Sequence, residues 1–101
     1  MIFDAGTLTI DPAHLAEFQA DLIAMLEQVR CEEGCFHYSL LTEDPATGLV
    51  NVLEQWADDA ALAKHLKQPW IVAFFHKHVN HMLAMNAKVY DVAGERDLPA
   101  M

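Results

Sequence analysis

Basic residues are scarce in this chain. Six Lys and Arg stand against 15 Asp and Glu in 101 residues, a formal net charge of −9 with the histidines neutral. A nucleic-acid partner rewards a track of cations along its phosphates, and an anionic membrane surface rewards a basic patch. Neither partner is expected. The bland consequence of the charge is solubility. Cysteine is nearly absent. Cys31 and Cys35 are too few for a disulfide scaffold, their spacing is not Cys-x-x-Cys, and Glu32 and Glu33 between them disfavour a thiolate. Four scattered glycines cannot form a phosphate-binding loop. No apolar run approaches the ~20 residues of a membrane span, and Met1-Ile2-Phe3-Asp4 has no basic segment of a secretory signal. A reduced, cytoplasmic setting is the expectation. Repeats and low-complexity segments are also missing.

What the chain has in excess is apolar surface, 53% of its residues. A single small domain hides that much with difficulty, so an oligomer or a ligand cavity is expected to absorb it. Ile2 to Ile10 reads as a strand. Asp11-Pro12 opens a helix, because Asp caps free amides and Pro fits a first helical position. Leu15, Phe18, Leu22, Leu26 and Val29 recur at helical spacing, which predicts one helix to about Arg30, stopped by Gly34. Cys35 to Glu43 reads as a strand with Phe36, Tyr38 and Leu40 on one face. Asp44-Pro45-Ala46-Thr47-Gly48 is turn chemistry, and Leu49 to Trp56 returns as a strand. In that strand Val50, Val52, Glu54 and Trp56 share one face, and Leu49, Asn51, Leu53 and Gln55 the other.

Asp58 or Asp59 can cap a short helix on which Leu62 and Leu66 share a side, with His65 beside them. Pro69 closes that helix or opens the next. Trp70 to about Leu83 is predicted helical, with Ile71, Phe75, Val79 and Met82 as its stripe, widened by Phe74 and His78. Met85 to Val92 is a last strand. The order is the β-α-β-β-α-β of an α+β, ferredoxin-like sheet with helices on one face. One domain over residues 1–93 and a polar tail over 94–101 are expected. Both faces of the central strands are apolar, and packing two such sheets face to face would cover the helix-free side.

Glu32-Glu33-Gly34-Cys35 with Tyr38, Leu53-Glu54-Gln55-Trp56, then Leu62, His65-Leu66, Pro69 and Phe74 or Phe75, taken in that order and spacing, resemble the antibiotic biosynthesis monooxygenase (ABM) domain. The likeness runs from about Met1 to Val92 and is greatest to the small bacterial quinol monooxygenases. It implies a dimeric α+β barrel with a small apolar pocket between sheet and helices. It also implies oxidation of a quinol or polycyclic phenol by molecular oxygen with no flavin, metal or other cofactor. Relatives on the same fold degrade haem or isomerise small ketoses, so the fold alone does not choose the chemistry. The haem branch carries an iron-binding histidine where His76 stands. Its tryptophan in the preceding helix is replaced here by His65, and its asparagine in the first strand by Gly6 or a neighbour.

His65 is the expected catalytic group, a base or hydrogen-bond donor that the resemblance turns toward the pocket. Trp56, Trp70, Phe74 and Phe75 are expected walls, and Tyr38 and Asn51 possible orienting groups. His76, His78 and His81 do not form a metal site on a helix, since 76 and 78 diverge by about 200°. The paired acids Glu32-Glu33 and Asp58-Asp59 read as a solvated helix end and a helix start. The alternative to catalysis is the same dimeric barrel acting only as a small-molecule binder.

Overall fold

The structure, a computed structural model, describes residues 1–100. Strand β1 (Ile2–Ile10) leads through a 3₁₀ turn (Pro12–His14) into helix α1 (Leu15–Arg30). Strands β2 (Cys35–Asp44) and β3 (Leu49–Trp56) form a hairpin. Helices α2 (Asp59–Leu66) and α3 (Pro69–His78) follow, then a 3₁₀ turn (Val79–His81) and strand β4 (Met82–Asp91). The sheet order is β2-β3-β1-β4, antiparallel throughout, the ferredoxin-like arrangement.

Capping chemistry explains most of the element starts. Asp11 accepts a hydrogen bond from the Ala13 amide at 3.0 Å, so it caps the 3₁₀ turn, and α1 proper begins three residues later than expected. Asp58, not Asp59, caps α2 by accepting from the Ala61 amide at 2.8 Å. Pro69 opens α3 at its first turn, where its missing N–H costs nothing. Gly34 takes φ +80, and a Cβ there would lie 2.7 Å from that of Ala61, so the turn after α1 needs glycine on both counts.

Two further boundaries and two faces differ from the sequence expectation, and strand pairing overrides local propensity in all but the last. Helix α3 stops at His78 rather than near Leu83, and β4 starts at Met82, which pairs with Ile10. The amide of Asp11 donates to the carbonyl of His81 at 2.8 Å and fixes that change of direction. A register shift between Cys35 and His37 displaces Phe36, which is exposed rather than inward with Tyr38 and Leu40. On α2 the buried pair is Leu62 and His65, while Leu66 is half exposed.

The core lies between α1 and the helix-facing side of the sheet. Trp56, Phe18, Ile10, Ile71, Val29 and Val50 are its most enclosed members, with His78. His78 is therefore a core residue. Its Nε2 lies 2.6 Å from Asp21 Oδ2, tying α3 to α1, and its ring packs against Phe18 and Phe74. The other sheet face carries exposed apolar groups, including Leu41, Leu53 and Tyr90.

Candidate active site

A cavity of about 300 Å³ lies between the sheet and helices α2 and α3. Its apolar wall includes Leu40, Val52, Leu62, Phe74, Phe75 and Met85. Its polar groups are Asp4, Tyr38, Glu54 and His65. Three of the four occupy one row across the sheet. Tyr38 pairs with Glu54, and Glu54 pairs with Asp4, so the strand register alone brings a phenol and two carboxyls together. His65 enters from α2 above them, 2% exposed.

His65 is held on several sides. Its ring lies 4.6 Å from that of Trp56 and 5.4 Å from that of Tyr38, centroid to centroid. Its Nδ1 lies 3.1 and 3.0 Å from the two carboxylate oxygens of Glu32. Trp70 also donates to Glu32, from Nε1 to Oε2 at 3.3 Å. The turn after α1 supplies this carboxylate: the Glu32 amide donates to Val29, its carbonyl accepts from Cys35, and the Gly34 carbonyl accepts from Ala57 at 2.8 Å. A carboxylate accepts, so Nδ1–H is the donor in this pair, and among the described residues Nε2 makes no hydrogen bond. This is the orienting arrangement of a histidine base.

Glu54 is the second distinctive group. It is 7% exposed on a face otherwise made of Val50, Val52 and Trp56. Burial, then the nearby charge of Asp4, pushes its carboxyl up to about 8, partly offset by a hydrogen bond from Trp56 Nε1 at 3.1 Å. It is therefore mostly protonated at neutral pH and can donate. Asp4 is also raised, chiefly by burial, with His65 pulling the other way. Burial foremost, then the surrounding carboxylates, pushes the Tyr38 phenol far up, so it stays neutral. His65, with Nδ1 committed to Glu32, and Glu54, a neutral proton donor, thus line one largely apolar space.

Of the residues singled out from sequence, His65, Tyr38, Phe74 and Phe75 meet at the cavity. Trp56 lies in the core behind it, braced against His65 and bonded to Glu54, and is not a wall. Trp70 lies outside the cavity and acts on it only through Glu32. Asn51 is exposed on the opposite sheet face, because it alternates with the inward Val50 and Val52. His76 is exposed on α3 and does not line the cavity. Glu32, Glu54 and Asp4 were missed. For Glu54 and Asp4 the signal was present, a carboxyl on a strand face whose other members are apolar. Glu32 had none, since its direction depends on the turn after α1.

No curated protein matches the chain. Among solved structures, a candidate antibiotic biosynthesis monooxygenase from Caulobacter crescentus CB15 is 26% identical, with a TM-score of 0.82 over 92% of this chain and 90% of that one. A protein from Pseudomonas aeruginosa is 28% identical, with a TM-score of 0.74 over 91% and 94%. A third, a candidate antibiotic biosynthesis monooxygenase from Deinococcus radiodurans, shares the fold at 24% identity, with a TM-score of 0.81 over 99% and 100%. Residues 1–77, most of the chain and all of the sheet–helix scaffold up to α3, match the antibiotic biosynthesis monooxygenase family model, and the chain belongs to that family.

Proposed function

We propose that this protein is a cofactor-independent monooxygenase acting on a small electron-rich aromatic, a quinol or a fused-ring phenol. The observation that carries the reading is the Glu32–His65 pair, which commits Nδ1 and lines a largely apolar cavity together with the protonated Glu54. The cavity volume is at the low end for small-molecule sites and suits one or two fused rings.

His65 Nε2 takes the phenolic proton, and Glu32 stabilises the imidazolium that results. The Glu54 hydroxyl donates to the phenolate oxygen, and its neutral form spares that anion the repulsion an ionised Glu54 would add to that of Asp4 and Glu32. A phenolate is a reductant. It passes an electron to dioxygen, and the resulting radical pair joins at an unsubstituted ring carbon, para to the oxygen in a fused-ring phenol and ortho to it in a quinol. Loss of the ring hydrogen and cleavage of the O–O bond give water and a quinone from the phenol, or a hydroxyquinone from the quinol. One oxygen atom enters the ring, the other leaves as water, and the substrate supplies every electron.

A homodimer formed through the helix-free sheet face belongs to the same proposal; the exposed Leu41, Leu53 and Tyr90 on that face support it. The test of the reaction is enzyme-dependent oxygen consumption across a panel of reduced quinones and naphthols, corrected for spontaneous oxidation. Uptake with quinone formation is expected. Saturable ligand binding with no uptake across the panel would leave a binding module instead.

A further inference from the structure

A second cluster of metal-ligating side chains stands at the far end of the sheet, where β1 leaves it and β4 enters. We propose that Asp11, His14 and His81 bind a divalent first-row transition ion, of the zinc or nickel kind. Their ligand atoms all lie within 4.8 Å of one another, and all three residues are partly exposed. Two donors bound at about 2.1 Å stand at most about 4.2 Å apart, so the three ligand atoms are already near closing distance, and closure needs a small approach with a turn of one imidazole. The set is two imidazoles and one carboxylate. That combination suits borderline transition ions, whereas calcium and magnesium prefer oxygen alone.

The backbone already holds the three together. The Asp11 amide donates to the His81 carbonyl at 2.8 Å, and the His14 amide donates to the Asp11 carbonyl at 2.8 Å. Asp11 Oδ1 is occupied by the Ala13 amide, which orients the carboxylate and leaves its other oxygen for a ligand. The rings of His14 and His81 stack at 3.4 Å between centroids, 11° from parallel, so one ring must turn out of the stack before both in-plane lone pairs meet at one ion. Little ordering remains to oppose binding, since the ligands' backbones are fixed before the ion arrives. Three protein ligands leave the remaining positions open to water.

The three histidines that the sequence grouped, His76, His78 and His81, do not share this site. His78 is committed to Asp21 in the core, and His76 lies on the exposed side of α3. His81 meets instead a histidine 67 positions earlier, across the β1–β4 pairing. A bound ion would clip the start of α1 to the start of β4, away from Asp4, Glu54 and His65.

Untagged protein with Cys31→Ser and Cys35→Ser, which removes competing thiols, is titrated with zinc or nickel by calorimetry, and with cobalt while the visible spectrum is recorded. One ion per chain with micromolar affinity is expected, with a cobalt band of nitrogen–oxygen coordination. His14→Ala and His81→Ala, separately, should each weaken binding at least tenfold. Asp11→Asn should weaken it less, because the amide keeps an oxygen donor. His76→Ala should leave it unchanged. Circular dichroism confirms that each variant is folded, and the melting temperatures of the parent and of His76→Ala should rise with zinc more than those of His14→Ala and His81→Ala. Binding absent at millimolar metal, or undiminished in both His14→Ala and His81→Ala, overturns the site.

Discussion

Glu54 and His65 face one cavity from opposite sides, and each makes a separable prediction. For His65, removal of a useful acid–base group typically costs about 10²–10⁴-fold in rate. His65→Ala should lower oxygen uptake at least tenfold in a chain that stays folded; unchanged uptake would keep the enzyme and discard the residue. Glu32→Gln keeps the shape but loses the charge that holds Nδ1–H, and should give a smaller loss in the same assay. For Glu54, the folded carboxyl is raised to about 8, while an unfolded chain titrates near 4.5. Below about 4.5 both states are protonated and the folded chain has its full stability. Between the two values the unfolded chain releases a proton that the folded chain keeps, so stability falls as pH rises. The loss is on the order of a few kcal/mol, complete above about 8. Glu54→Gln stays neutral, so its urea midpoint should lie near that of the parent at pH 5 and clearly above it at pH 9. The parent's turnover, which needs the protonated donor, should decline through the same upper limb. A midpoint that falls equally in both proteins would place the titrating group elsewhere.

At the level of elements, the turn between α1 and β2 aims a carboxylate at a histidine on another helix. Gly34 permits this turn through its positive φ and its contact with Ala61. Gly34→Ala should cost about 1 kcal/mol or more in urea denaturation, and should depress turnover beyond that by moving Glu32. A variant with normal stability and normal turnover would show that the turn does not set the pair. The strands and helices were legible because their periods and caps agree: Asp58, Pro69 and Gly34 all act where the sequence placed a cap or a stop. The ends of α3 and β4 were not, since the pairing of Met82 with Ile10 is long-range. The site was half legible. His65 and Tyr38 came from the resemblance and from strand parity, which also put Glu54 on the face of Val50, Val52 and Trp56 without recognising what a carboxyl there could do. Asn51 went astray because its polarity was weighed without its parity, and Glu32 because no local pattern says where a side chain beyond a helix end will point.

For the whole molecule, the unresolved balance is the apolar sheet face opposite the helices. Leu41 is 67% and Leu53 43% exposed there. Pairing two copies through this face would shelter both and place the two cavities on the outer sides of a common barrel. Light scattering in dilute buffer should give twice 11.3 kDa. Leu41→Glu with Leu53→Glu should shift the mass toward one chain, because carboxylates buried without partners are costly. A parent that runs as a well-behaved monomer would refute the dimer, without touching the chemistry assigned to His65.

Both tryptophans of the chain donate their indole N–H to a carboxyl group of the site, Trp56 to Glu54 and Trp70 to Glu32. The protein thus carries two native fluorophores, each wired to a different half of the acid–base pair. In Trp70→Phe the remaining emission should shift as Glu54 ionises near pH 8, and in Trp56→Phe it should report movement of Glu32 instead. Occupancy of the cavity, its charge and its order of events can be followed by light alone, with no label and before any substrate has been turned over.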